Sequence, residues 1–211
     1  EAMLVKTTML RLPIDLHPQS FSRLLSTITF PYSEHVTSVE NTLTVLSTLP
    51  EDDTLKFVYA HLMIPHPPYI YEPDGSIRLD DRYYREALNQ PISEEYYQDG
   101  YKKNLEYTNA VMLPLIKTLI EDSQTPPVVI LLSDHGMRDE NRMENLIAVF
   151  DPKLSNGEIY STITPVNIFR VILNTHFGTD YPILEDKSYY SAYPDRYLLT
   201  EVKENSPACQ P

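Results

Sequence analysis

The sequence predicts an α/β fold, a mostly parallel sheet flanked by helices, and three observations predict it. Two runs, LKFVYAHLMI (55–64) and VVILL (128–132), have the unbroken apolar, β-branched character of strands buried on both faces. A third, NLIAVFDP (145–152), repeats that character and closes on Asp-Pro. Helical periodicity lies between and after these runs. With 211 residues, 42% hydrophobic and 22% charged, the chain is long enough for one such domain.

Along the chain, residues 1–54 mix short apolar groups with Ser, Thr and Pro, and SVENTLTVLSTL reads as an amphipathic helix. This segment is expected to wrap a core built elsewhere. The strand at 55–64 stops at Pro65. PHPPYIYEPDGS then forms a proline-stiffened loop with a turn at Pro73-Asp74-Gly75. Residues 78–100 carry charge and tyrosine without a clean period and read as surface loop. From Glu94 to about Glu121 the apolar spacing is helical, interrupted by Pro114. The strand VVILL leads into Ser133-Asp134-His135-Gly136. Residues 161–178 form a helix with Thr164 as N-cap, Pro165 at its first position and Gly178 beyond its end. The expected organisation is one domain: a helical wrap (1–54), an α/β core (55–190) and an irregular tail (191–211).

Composition narrows the function. A net charge of −13 leaves no basic face to release counterions, so no nucleic-acid partner is expected. Only 5 glycines and no Gly-x-Gly-x-x-Gly or Walker pattern argue against a glycine-built phosphate cradle. The single cysteine, Cys209, has no internal partner for a disulfide. No run approaches the roughly 18 apolar residues of a membrane span, and the start shows no signal-peptide pattern, so no transmembrane segment is expected in this chain.

In open α/β sheets ligands bind beyond the carboxyl ends of the strands, and two polar clusters fall there. Asp134 and His135 put a hard oxygen and an imidazole side by side after VVILL, with Gly136 for the turn; zinc, manganese or magnesium takes such ligands. A carboxylate that caps the next turn beside a packed histidine accounts for the pair equally well. His66, held between prolines, suits contact with a substrate anion or a general acid, and equally an exposed loop histidine. His61 is a substrate-side candidate, although a half-buried histidine within a strand is the plainer reading. His17, His35 and His176 have no comparable setting.

The run SDHG after a buried strand resembles the second metal motif of the alkaline phosphatase-like superfamily, which includes sulfatases and lipoteichoic-acid-synthase-like transferases. HLMIPHPPYIY resembles its strand and His-x-Pro element. YKKNLEYTNAVMLPLIKTLIED resembles the helix before the SDHG strand, and SxITPVNIFRVILNTHFGTDYP a later helix and loop. Together they cover about residues 55–185, in the manner of the C-terminal part of such a catalytic domain, nearest to bacterial sulfatase-like membrane proteins.

The resemblance implies Asp134 and His135 as metal ligands and His66 as a contact to the transferred group or leaving-group acid. Arg138 and Arg142 follow the metal motif as anion-binding candidates. It implies a divalent cation (Mn, Zn, Mg or Ca) in the complete protein, held weakly or not at all by this chain. It further implies a phosphate- or sulfate-ester substrate, such as a lipid head group or glycan, and an extracytoplasmic location at the membrane. The acidic ligand and nucleophile that precede the His-x-Pro element in the family have no counterpart here; Cys-x-Pro-x-Arg is absent. The expectation is part of a metal-dependent hydrolase or transferase lacking its nucleophile half. The alternative is a non-catalytic module that binds an anion or a partner.

Overall fold

The computed structural model describes residues 32–78, 93–137, 142–155, 157–191 and 197–202. The chain divides into two compact units, Glu1–Thr125 and Pro126–Pro211.

In the first unit, helix α1 (Tyr32–Thr48) carries Val36, Val39, Leu43 and Leu46 three or four residues apart, so that they share one face. A 3-10 turn, Leu49–Glu51, ends it at Pro50, which cannot continue the helical hydrogen bonding. Helix α2 (Glu94–Asp122) starts at Ser93, whose side chain accepts the Tyr96 amide, with Glu94 and Glu95 in the first turn where the helix dipole favours them. Pro114 lies inside this helix. The core joins Val39 to Ile64, Ile70 and Tyr71, flanked by Val36, Leu43, Tyr107 and Val111.

The loop that follows Ile64 is fastened to α2 by polar and aromatic contacts. Asn104, buried on α2, accepts the Tyr71 amide at 3.0 Å. Tyr71 stacks on Tyr107 at 4.2 Å between ring centres. The Arg78 guanidinium donates to the Tyr69 carbonyl and lies over the Tyr96 ring. Gly100 faces Tyr69 so closely that a Cβ there would stand 2.7 Å from the Tyr69 Cβ.

The second unit is a hairpin covered on one face by a helix. Strand β1 (Val129–Leu132) pairs antiparallel with β2 (Ile147–Phe150), Leu132 opposite Ile147 and Val129 opposite Phe150. Helix α3 (Pro165–Phe177) sets Ile168, Val171 and Ile172 against Val128, Ile130, Ile147 and Val149. A second hairpin pairs β3 (Ser188–Ser191) with β4 (Leu199–Val202).

The expected mostly parallel α/β sheet is overturned: the described strands form two antiparallel two-stranded sheets. The chemistry of the strands was legible, but their direction follows from the connection. A parallel pair needs a crossover of a dozen or more residues, usually through a helix. The described part of the link from β1 to β2 contains only a short 3-10 turn at 142–143, and the chain returns directly alongside. The run at 55–63 has strand composition but joins no ladder among the described residues. Leu55, Phe57 and Tyr59 are 100%, 86% and 80% exposed. Cross-strand neighbours stabilise a strand, and this run has none among the described residues. VVILL is likewise only partly buried, because α3 covers a single face of its hairpin.

Gly178, with φ of 64°, closes α3 in the left-handed region that favours glycine. At the other end Thr164 occupies the N-cap position without a side-chain bond to the helix. Its amide and hydroxyl both donate to Asp186, at 2.7 and 2.6 Å. Asn167 and Tyr160 donate to the same carboxylate. Further along one face, Asn167, Arg170 and Asn174 bond the backbone of Leu184, Pro182 and Tyr181, zipping residues 181–186 to α3. Burial raises the Asp186 carboxyl, but donation from Thr164, Tyr160 and Asn167 outweighs it and holds the pKa below the ordinary value.

Candidate functional site

Asp134 and His135 leave the hairpin where β1 ends and β2 begins. Ser133 extends the ladder by one rung: its amide donates to the Leu146 carbonyl at 3.0 Å and its hydroxyl accepts the Leu146 amide at 2.7 Å. This double contact fixes the residue before the pair. The loop then closes on itself, the Gly136 amide donating to the Arg142 carbonyl at 2.9 Å. Arg142 is thereby set against the same loop by its backbone, with an exposed side chain. Arg138 lies outside the described residues.

The His135 ring is oriented from behind. A carbonyl only accepts, so the contact between His135 Nδ1 and the Gly136 carbonyl places the proton on Nδ1. In a neutral ring Nε2 then presents its lone pair, the arrangement that outer contacts impose on metal-binding histidines. That Nε2 faces Asp134 Oδ2 at 3.6 Å, with the Asp134 side chain 89% exposed. The separation is too long for a hydrogen bond. It matches the roughly 3–3.7 Å between two ligands that each stand about 2.0–2.2 Å from one ion. Among the described residues no backbone amide donates to the Asp134 carboxylate. No group of three or more His, Cys, Asp or Glu side chains suited to a metal occurs among the described residues. The pair therefore fits two positions of a cation site and supplies no third.

His61 and His66 belong to the first unit. His61 is exposed on the unpaired run, its ring 6.5 Å from that of Tyr59. His66 is exposed in the proline loop between the core residues Ile64 and Ile70, and its Nδ1 contacts the Pro67 carbonyl. Its Nε2 is the free edge, by the same reasoning as for His135. His35, on the face of α1 that carries Val39, is the residue His66 acts upon. Burial first, then the nearby charge of His66, push the His35 imidazole below its ordinary pKa. His35 was legible only as one turn before Val39 on an apolar face, a position that by itself predicts packing.

A second histidine–carboxylate pair lies at the opposite end of the β1–β2 hairpin. His176, in the last turn of α3, donates through Nε2 to Asp151 Oδ2 at 2.7 Å, and the Asp151 side chain is fully buried. The Lys153 amide donates to Oδ1 at 2.9 Å, so both carboxylate oxygens are occupied. This pair clamps the exit of β2 to the end of α3. The feature that singles out Asp134, a carboxylate at a strand exit, equally marks Asp151. The burial that makes Asp151 structural has no local signature.

No described helix is long and apolar enough to cross a membrane. Compared with models of known protein families, with curated proteins and with solved structures, the chain matches none.

Proposed function

We propose that this chain is part of a metal-dependent phosphoryl- or sulfuryl-ester hydrolase or transferase, with Asp134 and His135 as two of the cation's ligands. The single observation that carries the reading is the 3.6 Å spacing of Asp134 Oδ2 and His135 Nε2, with the ring turned by the Gly136 carbonyl and the carboxylate exposed. A hard carboxylate oxygen beside an imidazole suits manganese, zinc or magnesium. When bound, such a cation lowers the pKa of an attacking hydroxyl and neutralises charge developing on the ester oxygens.

The protein's own residues have narrower tasks. Ser133 holds the backbone in register, the Gly136 carbonyl sets the His135 tautomer, and Arg142 stands ready at the loop for an anionic group. For His66, in the first unit, the resemblance alone implies contact with the transferred group. The resemblance at SDHG and PHPP supports the reaction class, and the family's nucleophile element has no counterpart among these 211 residues. An extracytoplasmic position at a membrane, with a lipid head group or glycan as the ester substrate, belongs to the same proposal.

The test is turnover by the native gene product, isolated from its source, on phosphodiester and sulfate-ester substrates with added manganese. Metal-dependent turnover that Asp134→Asn abolishes is the expected result. Turnover unchanged by Asp134→Asn and by His135→Gln overturns the assignment. Binding of the ester with no turnover at all favours a non-catalytic anion-binding module.

A further inference from the structure

We infer that Ser133 is a positioning residue for the cation pair: its hydroxyl replaces its own carbonyl in the ladder, ends β1 there, and so lets Asp134 and His135 converge. The inference rests on the reading of that pair as cation ligands. In a hydrogen-bonded antiparallel pair, the two facing residues exchange both N–H to C=O bonds. Ser133 and Leu146 exchange only one of them. The Ser133 amide donates to the Leu146 carbonyl at 3.0 Å, but the Leu146 amide donates to the Ser133 hydroxyl, at 2.7 Å. The Ser133 carbonyl is turned out of the ladder and faces Asn145 Nδ2 at 3.5 Å, beyond the ordinary range of such a bond.

The replacement matters because of strand periodicity. Were β1 continued by another rung, Asp134 and His135 would point to opposite faces, as successive residues of a strand do. Instead Asp134 Oδ2 and His135 Nε2 stand 3.6 Å apart, and the His135 ring contacts the Gly136 carbonyl through Nδ1. Adjacent side chains meet in this way where the backbone leaves the extended path. The hydroxyl keeps the Leu146 amide satisfied while the chain departs, the competition with backbone partners in which serine side chains commonly engage. With alanine at 133 the acceptor within reach is the carbonyl; turning it back restores the regular rung and draws Asp134 into the strand. Leu146 is exposed, so the change falls at the rim of the sheet and leaves the core beneath α3 intact.

The experiment compares the 211-residue chain with its Ser133→Ala and Ser133→Thr variants, by nitrogen NMR shifts of the histidine rings without metal and by manganese titration. The first readout, taken at about pH 8 where imidazoles are neutral, reports which His135 nitrogen carries the proton. Ser133→Ala is expected to lose the preference for Nδ1–H. It should also need about tenfold or more manganese to broaden the His135 Cε1–H signal, the scale on which outer contacts act. Ser133→Thr, which keeps the hydroxyl, retains both properties. The His176 ring, clamped to Asp151 at the far end of the hairpin, keeps its signal throughout. A Ser133→Ala chain with the wild-type His135 tautomer and manganese response overturns the inference, as does a threonine variant that behaves like the alanine one. Displacement of the His176 signal in Ser133→Ala, the mark of a general loss of fold, overturns it too. If manganese never broadens His135 in the wild-type chain, the cation reading fails, and the tautomer readout still decides whether Ser133 sets the geometry of the pair.

Discussion

Asn167→Ala should be among the most damaging polar substitutions in the second unit. Asn167 is fully buried at the start of α3 and makes three hydrogen bonds. Its Nδ2 donates to the Leu184 carbonyl and to Asp186, each at 2.9 Å, and its Oδ1 accepts the Leu184 amide at 3.0 Å. At about 1 kcal/mol each, their loss amounts to roughly 3 kcal/mol. Leu184 is partly exposed, so water can replace some of this, and about 2–3 kcal/mol is expected. Asn174→Ala, on the same face, removes bonds to Tyr181 and Thr179 that are open to water and should cost less, about 1–1.5 kcal/mol. Urea unfolding followed by far-ultraviolet circular dichroism measures both. Equal losses for the two variants, or a loss below about 0.5 kcal/mol for Asn167→Ala, would refute the zipper as the anchor of residues 181–186.

Four further outcomes follow from particular contacts. Gly100→Ala normally gains helix propensity of about 1 kcal/mol, but here it should destabilise, since the new methyl meets the Tyr69 Cβ; thermal melting reads the sign. His176→Ala removes the ring's hydrogen bond to the Asp151 carboxylate and should cost about 1.5–3 kcal/mol, measured by urea unfolding. Because the Asp186 pKa is lowered on folding, its contribution is present above about pH 4 and is lost as pH falls through the folded value. Asp186→Asn should therefore be less stable than wild type at pH 7 and lose less between pH 5 and pH 3, read by melting temperature. Chymotrypsin under native conditions should cut after Phe57 and Tyr59, which are exposed on a run without strand partners; mass spectrometry of early fragments checks it.

Local signals in the sequence specify what each segment is, and distant partners specify how segments meet. The ends of α3 are readable from Thr164, Pro165 and Gly178 alone. The destination of the Thr164 hydroxyl, Asp186, is 22 residues away and has no local trace. VVILL and NLIAVF announce strands, whereas their antiparallel pairing goes with a link whose described part makes no helical crossover. LKFVYAHLMI has strand composition, and composition does not supply a neighbour. Among the candidate residues, Asp134 and His135 were legible because a polar pair directly follows an apolar run. The tautomer that aims His135 Nε2 at Asp134 depends on a backbone carbonyl, which residue types do not reveal. His35 needed the packing of α1 against Ile64 and Tyr71 before its relation to His66 could be seen.

Under the proposed function Asp134 and His135 share one cation. Manganese added at substoichiometric levels to the 211-residue chain, with the six histidine Cε1–H signals followed by NMR, tests it most directly. A paramagnetic ion broadens the rings nearest to it, and manganese favours a site that includes a carboxylate oxygen. His135 is expected to broaden first, and Asp134→Asn to abolish this selective loss. A His135 signal that stays sharp while other histidines broaden, or one that broadens equally in Asp134→Asn, would contradict it.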